Sequence, residues 1–468
     1  MNSKKLKDKI KSNFPFEPTN EQKEIIIDIS DFVTTIGNRS IYILKGYAGT
    51  GKTTLVSTLV KSLTVIAKRS VLMAPTGRAA KVLSKYSKKL ASTIHRKIYW
   101  IRTNKSGNTF ITLKENTHTN TIFIVDEASM IAENSEKGFG NRSLLNDLIE
   151  YVYDGIDCKL ILIGDTAQLP PVHLEVSPAL DEEILERNFN KQVIWKELTQ
   201  VVRQEENSMI LNNATILRDK IAKNDYSFPT IETNNEVVRI NTGEELQEAL
   251  ESAYSSSGIN NTSVLCRSNK RANLYNQQIR TKIRWQENEI SAGDMLMVVR
   301  NNYYWLDENS KVGFIANGDI VQVTKIKETI DRYGFRFARA SVKMVDYAEE
   351  EEMELILLLD TLTSQTPTIS YESYQNFYKE ISKDYKGEKE INKKIKENEF
   401  FNALQIKFAY AITCHKSQGG QWENVFIDMG YFTKEMLDKS YLRWLYTAIT
   451  RATKKLYLIN FKEDFFKS

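Results

Sequence analysis

The stretch IYILKGYAGTGKTTLVSTLVKSL, Ile41 to Leu63, decides the fold. It begins as an apolar run of strand length, passes through a glycine-rich turn and continues as a helical pattern. The spacing G-x-x-x-x-G-K-T between a strand and a helix is the phosphate-binding loop in its required context. Gly46, Gly49 and Gly51 let the backbone close around phosphates, where amide groups and a helix N-terminus supply positive potential. The loop assigns Gly46, Ala48, Gly49, Thr50, Gly51, Lys52, Thr53 and Thr54 to a nucleotide, ATP. Lys52 is expected to reach the β- and γ-phosphates, and Thr53 to hold Mg²⁺.

The run TIFIVDEASM supplies the other half of that site. A buried strand carries Asp126 to its C-terminal end, where a carboxylate can hold the water shell of Mg²⁺. Glu127 follows as candidate base for an attacking water. A metabolic kinase needs no such adjacent glutamate, because its nucleophile is a substrate hydroxyl. The pair therefore favours hydrolysis over transfer to a small molecule.

Outward from this site, apolar runs alternate with helical stretches from Ile41 to about Ile163, the pattern of a parallel α/β sheet. A second set of strand signals comes later, in SVLCRS, NVFIDMG and KKLYLIN. A chain of 468 residues has room for several cores. The expected fold class is thus α/β with two cores. Residues 97–116, KIYWIRTNKSGNTFITLKEN, read as a β-hairpin turning at KSGN. Residues 311–401 break the rhythm with short antiparallel strands, then a helix carrying Tyr371, Tyr374, Tyr378 and Ile381, then a Lys/Glu block that reads as a solvated face.

The net charge of +4 does not by itself argue for a polyanionic partner. Three cysteines, Cys158, Cys266 and Cys414, are odd in number and far apart, which fits a reducing compartment rather than a disulfide framework. The basic start, MNSKKLKDKIKSNF, has no apolar segment behind it, and no apolar run approaches a membrane span. The expectation is a soluble, cytoplasmic protein without a membrane partner.

In chain order stand PTNEQ, GYAGTGKTT, APTGRAAK, STIHR, VDEAS, GDTAQLPPV, LTQVVRQ, YAITCHKSQG and YTAITRA. This series closely resembles the motif set of superfamily 1 helicases, and its QLPPV form is similar to the RecD, Dda and Pif branch, which moves 5′ to 3′. The resemblance spans about Pro18 to Asn460. It implies two RecA-like cores, with the hairpin as a pin in the first and a small SH3-like β-barrel plus helical tower inserted in the second. On that plan residues 1–96 and 117–205 form the first core, 206–310 and 402–468 the second, and 311–401 the insertion.

The resemblance also implies roles for single residues. Gln22 matches the glutamine that reads the adenine edge, and Gln168 the sensor of the γ-phosphate. Arg203 and Arg451 match two arginines that reach that phosphate, where transition-state charge gathers. With Lys52, Asp126 and Glu127 they complete the expected catalytic set.

A strand of nucleic acid is expected on Pro75, Thr76, Gly77 and Arg78, on Thr93 and His95, and on Pro171 and Val172 in the first core. Asn269, Arg300, Asn301, Asn317, Thr413, His415, Lys416 and Ser417 are its expected contacts in the second. Trp100 and Phe110 on the hairpin either split a duplex or pack the hairpin onto its own domain. Cys414 has no acid beside its histidine and no second Cys/His pair, so a dyad or metal corner is disfavoured there.

The reading is an ATP-dependent DNA helicase acting on single-stranded and on forked or tailed duplex DNA. A monomer is expected, with a single-strand-binding protein or replication and recombination proteins as candidate partners. The alternatives are an RNA-directed enzyme of the same superfamily, a nucleic-acid-stimulated ATPase that does not unwind, and a kinase.

Overall fold

The computed structural model describes residues 2–37, 39–103, 109–132, 143–202, 208–306, 310, 313–347, 351–366, 368–388 and 390–466. For 101–103, 109 and 110 it describes the backbone alone. The strands are β1 (Ile41–Gly46), β2 (Arg69–Ala74), β3 (Ala91–Thr93), β4 (Tyr99–Thr103), β5 (Thr109–Leu113), β6 (Thr121–Val125), β7 (Lys159–Gly164) and β8 (Val193–Leu198). There follow β9 (Val237–Ile240), β10 (Thr262–Cys266), β11 (Met295–Val298), β12 (Ile320–Arg332), β13 (Phe335–Met344), β14 (Met353–Leu358), β15 (Leu404–Phe408), β16 (Ala411–Thr413), β17 (Trp422–Asp428) and β18 (Ala452–Ile459).

The first sheet runs β3-β2-β6-β7-β1-β8 with every pairing parallel. Strands β6 and β7 are buried at every position, because helices cover both faces of the sheet. One face packs Leu55, Leu59 and Ile26 from helices Lys52–Ser62 and Asn20–Thr34; the other packs Leu148 and Val152 from Leu144–Asp154. The second sheet, β16-β10-β17-β18-β9, is also parallel. Both sheets agree with the two-core reading.

The hairpin is β4 and β5, antiparallel from Tyr99 opposite Leu113 to Thr103 opposite Thr109. Its expected KSGN turn lies outside the described residues. Strands β11 to β15 close a small barrel. Its first and last strands lie beyond the limits expected for the insertion, 311–401. Met295–Val298 and Leu404–Phe408 pair with each other, and that pairing is what closes it. Their isolated apolar runs gave no sign of which sheet they join. Beyond the barrel, β12 and β13 continue as a ribbon, and Phe377 of helix Tyr371–Asp384 packs with Phe337 and Phe400 over it. Of the residues expected to order that helix, Tyr371 is exposed, Tyr374 and Tyr378 are half-buried and Ile381 is buried, beside Phe377.

The barrel also touches the first core. Lys81 Nζ donates to the Val345 carbonyl at 2.7 Å and meets Asp346 at 3.3 Å. A Cβ on Gly77 would stand 2.3 Å from the Tyr347 hydroxyl and 2.8 Å from an Asp319 oxygen, so only glycine fits there. Asp319 is buried, and its carboxylate accepts from the Ala316 N–H at 2.7 Å. Burial, with Asp346 adding repulsion, pushes its carboxyl up to about 7.

An unfolded aspartate loses its proton near 4, so this raised value erodes stability as pH climbs from about 4 to about 7, after which the loss is constant. Asp319→Asn should therefore raise stability at pH 8 by up to about 4 kcal/mol, and by much less at pH 5. Thermal melts at both pH values check this, and an equal shift at the two would refute it.

Candidate active site between the two cores

The phosphate-binding loop is built by backbone conformation. Gly49 and Gly51 have φ of +74° and +85°, and helix Lys52–Ser62 starts directly after. The Lys52 ammonium donates to the carbonyls of Gly46 (2.6 Å) and Tyr47 (2.7 Å). Thr53 and Thr54 are half-buried in the first helical turn.

Gln22 is fully buried, not a surface helix residue. Its side-chain oxygen accepts from the Thr19 N–H in a capping box, and its Nε2 donates to the Thr50 carbonyl at 3.1 Å. That amide therefore props the loop from behind. A Cβ at Gly51 would lie 2.6 Å from Gln22 Nε2. Gly51→Ala is expected to lose about 1–2 kcal/mol from the left-handed backbone alone, and nucleotide affinity with it. Denaturant titration and nucleotide-binding fluorescence check this; parent values in both would mean that the loop relaxes freely.

Asp126 leaves β6 with its Oδ1 accepting from the Glu127 N–H at 2.9 Å. Glu127 itself adopts φ +55°, which a glutamate takes only where its surroundings impose it. Burial raises the proton affinity of both carboxyls, and the positive charges of Lys52 and, for Glu127, Arg451 oppose the rise.

Arg451 comes from the second core. It is buried, with Nη1 3.9 Å from Glu127 Oε1. Its Nε donates to the Thr447 carbonyl, its Nη1 to the Gly420 carbonyl and its Nη2 to the Thr450 hydroxyl. Arg203 lies outside the described residues.

Four further hydrogen bonds join the cores around this point. The Tyr446 hydroxyl accepts from the Ala48 N–H (2.9 Å) and donates to Asp165 (2.8 Å). The Leu169 N–H donates to the Thr447 hydroxyl (2.8 Å), and Gln418 Nε2 donates to the Leu169 carbonyl (2.6 Å). Gln168, beside them, is buried with its Oε1 unpartnered. The two ends of an amide are assigned from their neighbours, so this position offers a donor as readily as an acceptor to a ligand.

Tyr446, Thr447 and Asp165 were absent from the expected site set. The signal was present: Tyr446, Thr447, Thr450 and Arg451 recur at helical spacing on one face.

The expected strand-binding residues divide. Thr76 and Thr93 cap helices Gly77–Ser87 and Ile94–Ile98 with their hydroxyls at the ends of β2 and β3, beside Pro75. Burial pushes the His95 imidazole down to about 4, so near neutral pH it offers a neutral ring. Pro171 is half-buried and Val172 exposed on the following turn. Asn301 Oδ1 accepts from the Asn317 N–H at 2.7 Å, so those two stand together, and Arg300 lies over the Tyr374 ring. Asn269 opens helix Asn269–Gln278. Thr413, His415 and Lys416 reach the surface on a short turn.

Three expectations are corrected. Ser417 is fully buried and its hydroxyl donates to the Cys414 carbonyl, so it grips no phosphate. Arg78 stacks on Trp422 of the second core at 4.1 Å, a cation–π tie between cores rather than a groove contact. Gly77, expected in the path of the strand, is instead buried against Tyr347 and Asp319 of the barrel. On the hairpin, Tyr99 donates to Asp147 of its own domain at 2.7 Å, whereas Trp100 is 54% exposed. The Phe110 side chain lies outside the described residues. Cys414 is buried, its thiol pushed up to about 12 by that burial, as expected of a residue without chemistry.

Residues 20–241 match the model of an AAA domain, and 408–459 that of the UvrD-like helicase C-terminal domain. The chain is 22% identical over 435 residues to the ATP-dependent DNA helicase Pif1 of Campylobacter jejuni, covering 88% of this chain and 86% of that one. It is 31% identical over 180 residues to the ATP-dependent DNA helicase dda of Enterobacteria phage T4, covering 38% and 37%. Among solved structures, Pif1 helicases at forked double-stranded DNA align over 96% of this chain and 94% of theirs, at 17% identity and a TM-score of 0.49. The chain spans less than half the length of several curated relatives that it matches. Two parallel cores with a nucleotide loop at their junction define a two-core P-loop NTPase. Together these matches support a superfamily 1 helicase of the RecD, Dda and Pif type.

Proposed function

We propose that the chain is an ATP-driven DNA helicase that moves 5′ to 3′ on single-stranded DNA and opens duplexes ahead of it. One observation carries the reading: Arg451 of the second core stands 3.9 Å from Glu127 of the first, beside the phosphate-binding loop. Chemistry at such a site depends on closure of two bodies, and that dependence is what a motor requires.

In this reading Lys52 and the loop amides hold the triphosphate, Glu127 takes a proton from the attacking water, and Arg451 stabilises charge on the transferring phosphoryl oxygens. Arg203 is assigned the same task. Thr53 and the free oxygen of Asp126 are hard oxygen donors of the kind Mg²⁺ takes, sharing it with phosphates and water. The ion would neutralise phosphate charge. Gln168 would sense the γ-phosphate and, through Leu169, pass its state to Gln418 and the turn bearing Thr413, His415 and Lys416.

The strand would cross the ends of β2, β3 and β16, touching Pro75, Thr76, Thr93, His95, Pro171, Val172, Asn269, Arg300, Asn301 and Asn317. Contacts of this kind to phosphates and stacked bases carry little sequence preference. Trp100 is the candidate wedge. The enzyme is proposed to act as a monomer, and Gln22 to meet the adenine once its amide gives up the Thr50 carbonyl.

The test measures ATPase rate with and without single-stranded DNA or RNA, then strand separation on duplexes with a 5′ or a 3′ tail. DNA-stimulated ATPase and opening from the 5′ tail are expected. ATPase indifferent to nucleic acid would refute the motor, and opening only from a 3′ tail would refute the direction.

A further inference from the structure

The first core carries a cavity that the proposed chemistry does not use. Strand β3 pairs with β2 only from Leu72 to Ala74, which leaves Ser70 and Val71 without a neighbour on that edge. A cavity of about 640 Å³ opens there, at the foot of the hairpin. It extends toward the N-terminal end of β2, away from the phosphate-binding loop at the C-terminal end of β1.

Its walls bring Arg96, Lys97 and Lys114 together against one carboxylate, Glu115. Lys97 Nζ lies 2.8 Å from His118 Nε2, a contact that requires the ring nitrogen to accept. Lys114 Nζ donates to the Arg96 carbonyl at 2.8 Å and lies 4.5 Å from the centre of the Trp100 ring. A second cavity of about 310 Å³ shares Ser70, Val71 and His118 and adds Lys89 and Arg69. The cations thus continue from one hollow into the next.

Holding these cations together has a cost. Burial, then the charges of Lys97 and Arg96, pulls the Lys114 ammonium down to about 8; burial lowers Lys97 as well. A bound anion relieves both effects. An exposed indole beside ammonium groups is moreover suited to the fork end of a duplex, whose terminal base pair presents a stacking face to the ring and whose phosphates meet the cations.

We propose that this cationic hollow is a second nucleic-acid site, which holds backbone phosphates of the duplex arm while the single strand passes between the cores. The proposal rests on the helicase reading. It is separable from that reading, because Lys97 and Lys114 are not among the residues assigned to the single strand or to ATP.

The test compares salt dependence of binding to a 5′-tailed fork and to single-stranded DNA for the parent and for the double variant Lys97→Gln/Lys114→Gln. Each lost phosphate contact removes about 0.9 from the log–log slope on duplex DNA. The double variant should therefore show a fork slope shallower by about 2, that is, about tenfold less loss of affinity between 50 and 200 mM salt. Its single-strand slope and single-strand-stimulated ATPase should match the parent. Lys97→Arg/Lys114→Arg should restore the fork slope, which separates charge from packing.

Parent-like fork binding in the double variant, or equal change on fork and single strand, would overturn the second site. So would loss of binding to a polyglutamate peptide with fork binding intact, which would make the hollow a protein site. Absence of single-strand-stimulated ATPase in the parent would instead count against the helicase reading.

Discussion

Glu127→Gln is expected to bind ATP as the parent does and to hydrolyse it about 10²- to 10⁴-fold more slowly, the range for loss of a general base. The argument starts from the backbone. At the end of β6 the chain turns through φ +55° at Glu127, and the carboxyl is left half-buried near Lys52 and Arg451. Burial raises its affinity for a proton, while the two cations keep the rise in check. A carboxylate so placed is a stronger base than one in water. The glutamine is isosteric but accepts no proton, so single-turnover hydrolysis should fall while nucleotide binding holds. Hydrolysis at the parent rate would move the base elsewhere, with the buried Asp165 as the next carboxylate to examine.

Arg451→Ala is expected to lose about 10³- to 10⁵-fold in kcat, the span associated with an arginine that stabilises phosphoryl-transfer charge. Part of that loss is positional. The guanidinium is tied to Thr447, Gly420 and Thr450, so the protein fixes its direction before any ligand arrives. Arg451→Lys retains the charge but not the planar fork, and should recover little. Nucleotide affinity within a few-fold of the parent, with DNA-stimulated turnover lost, is the expected pattern. A kcat within tenfold of the parent in the alanine variant would reduce Arg451 to a structural tie between the cores.

Much of the nucleotide site was legible because its chemistry is local. Gly49 and Gly51 need left-handed backbone, Lys52 must open the helix, and Asp126 must end a buried strand; all of these lie within a few residues of each other in sequence. Arg78 and Ser417 misled for the opposite reason. Each is a polar residue after a strand, and whether it meets solvent or a neighbour is decided by Trp422 for one and by its own turn's carbonyl for the other. The barrel's limits escaped because pairing of Met295–Val298 with Leu404–Phe408 closes about a hundred residues of intervening chain. Nothing local records such a partner.

By itself, the order of residues determined two parallel sheets, the phosphate-binding loop and the acid pair, since strand burial and glycine turns follow from short-range pattern. Only the tertiary structure decided that Tyr446, Thr447 and Gln418 hold the first core's loops, that Gly77 seats the barrel, and that scattered cations gather at the hairpin's foot. Those outcomes depend on close approach between segments far apart in the chain, and packing selects such an approach only when the whole chain has closed.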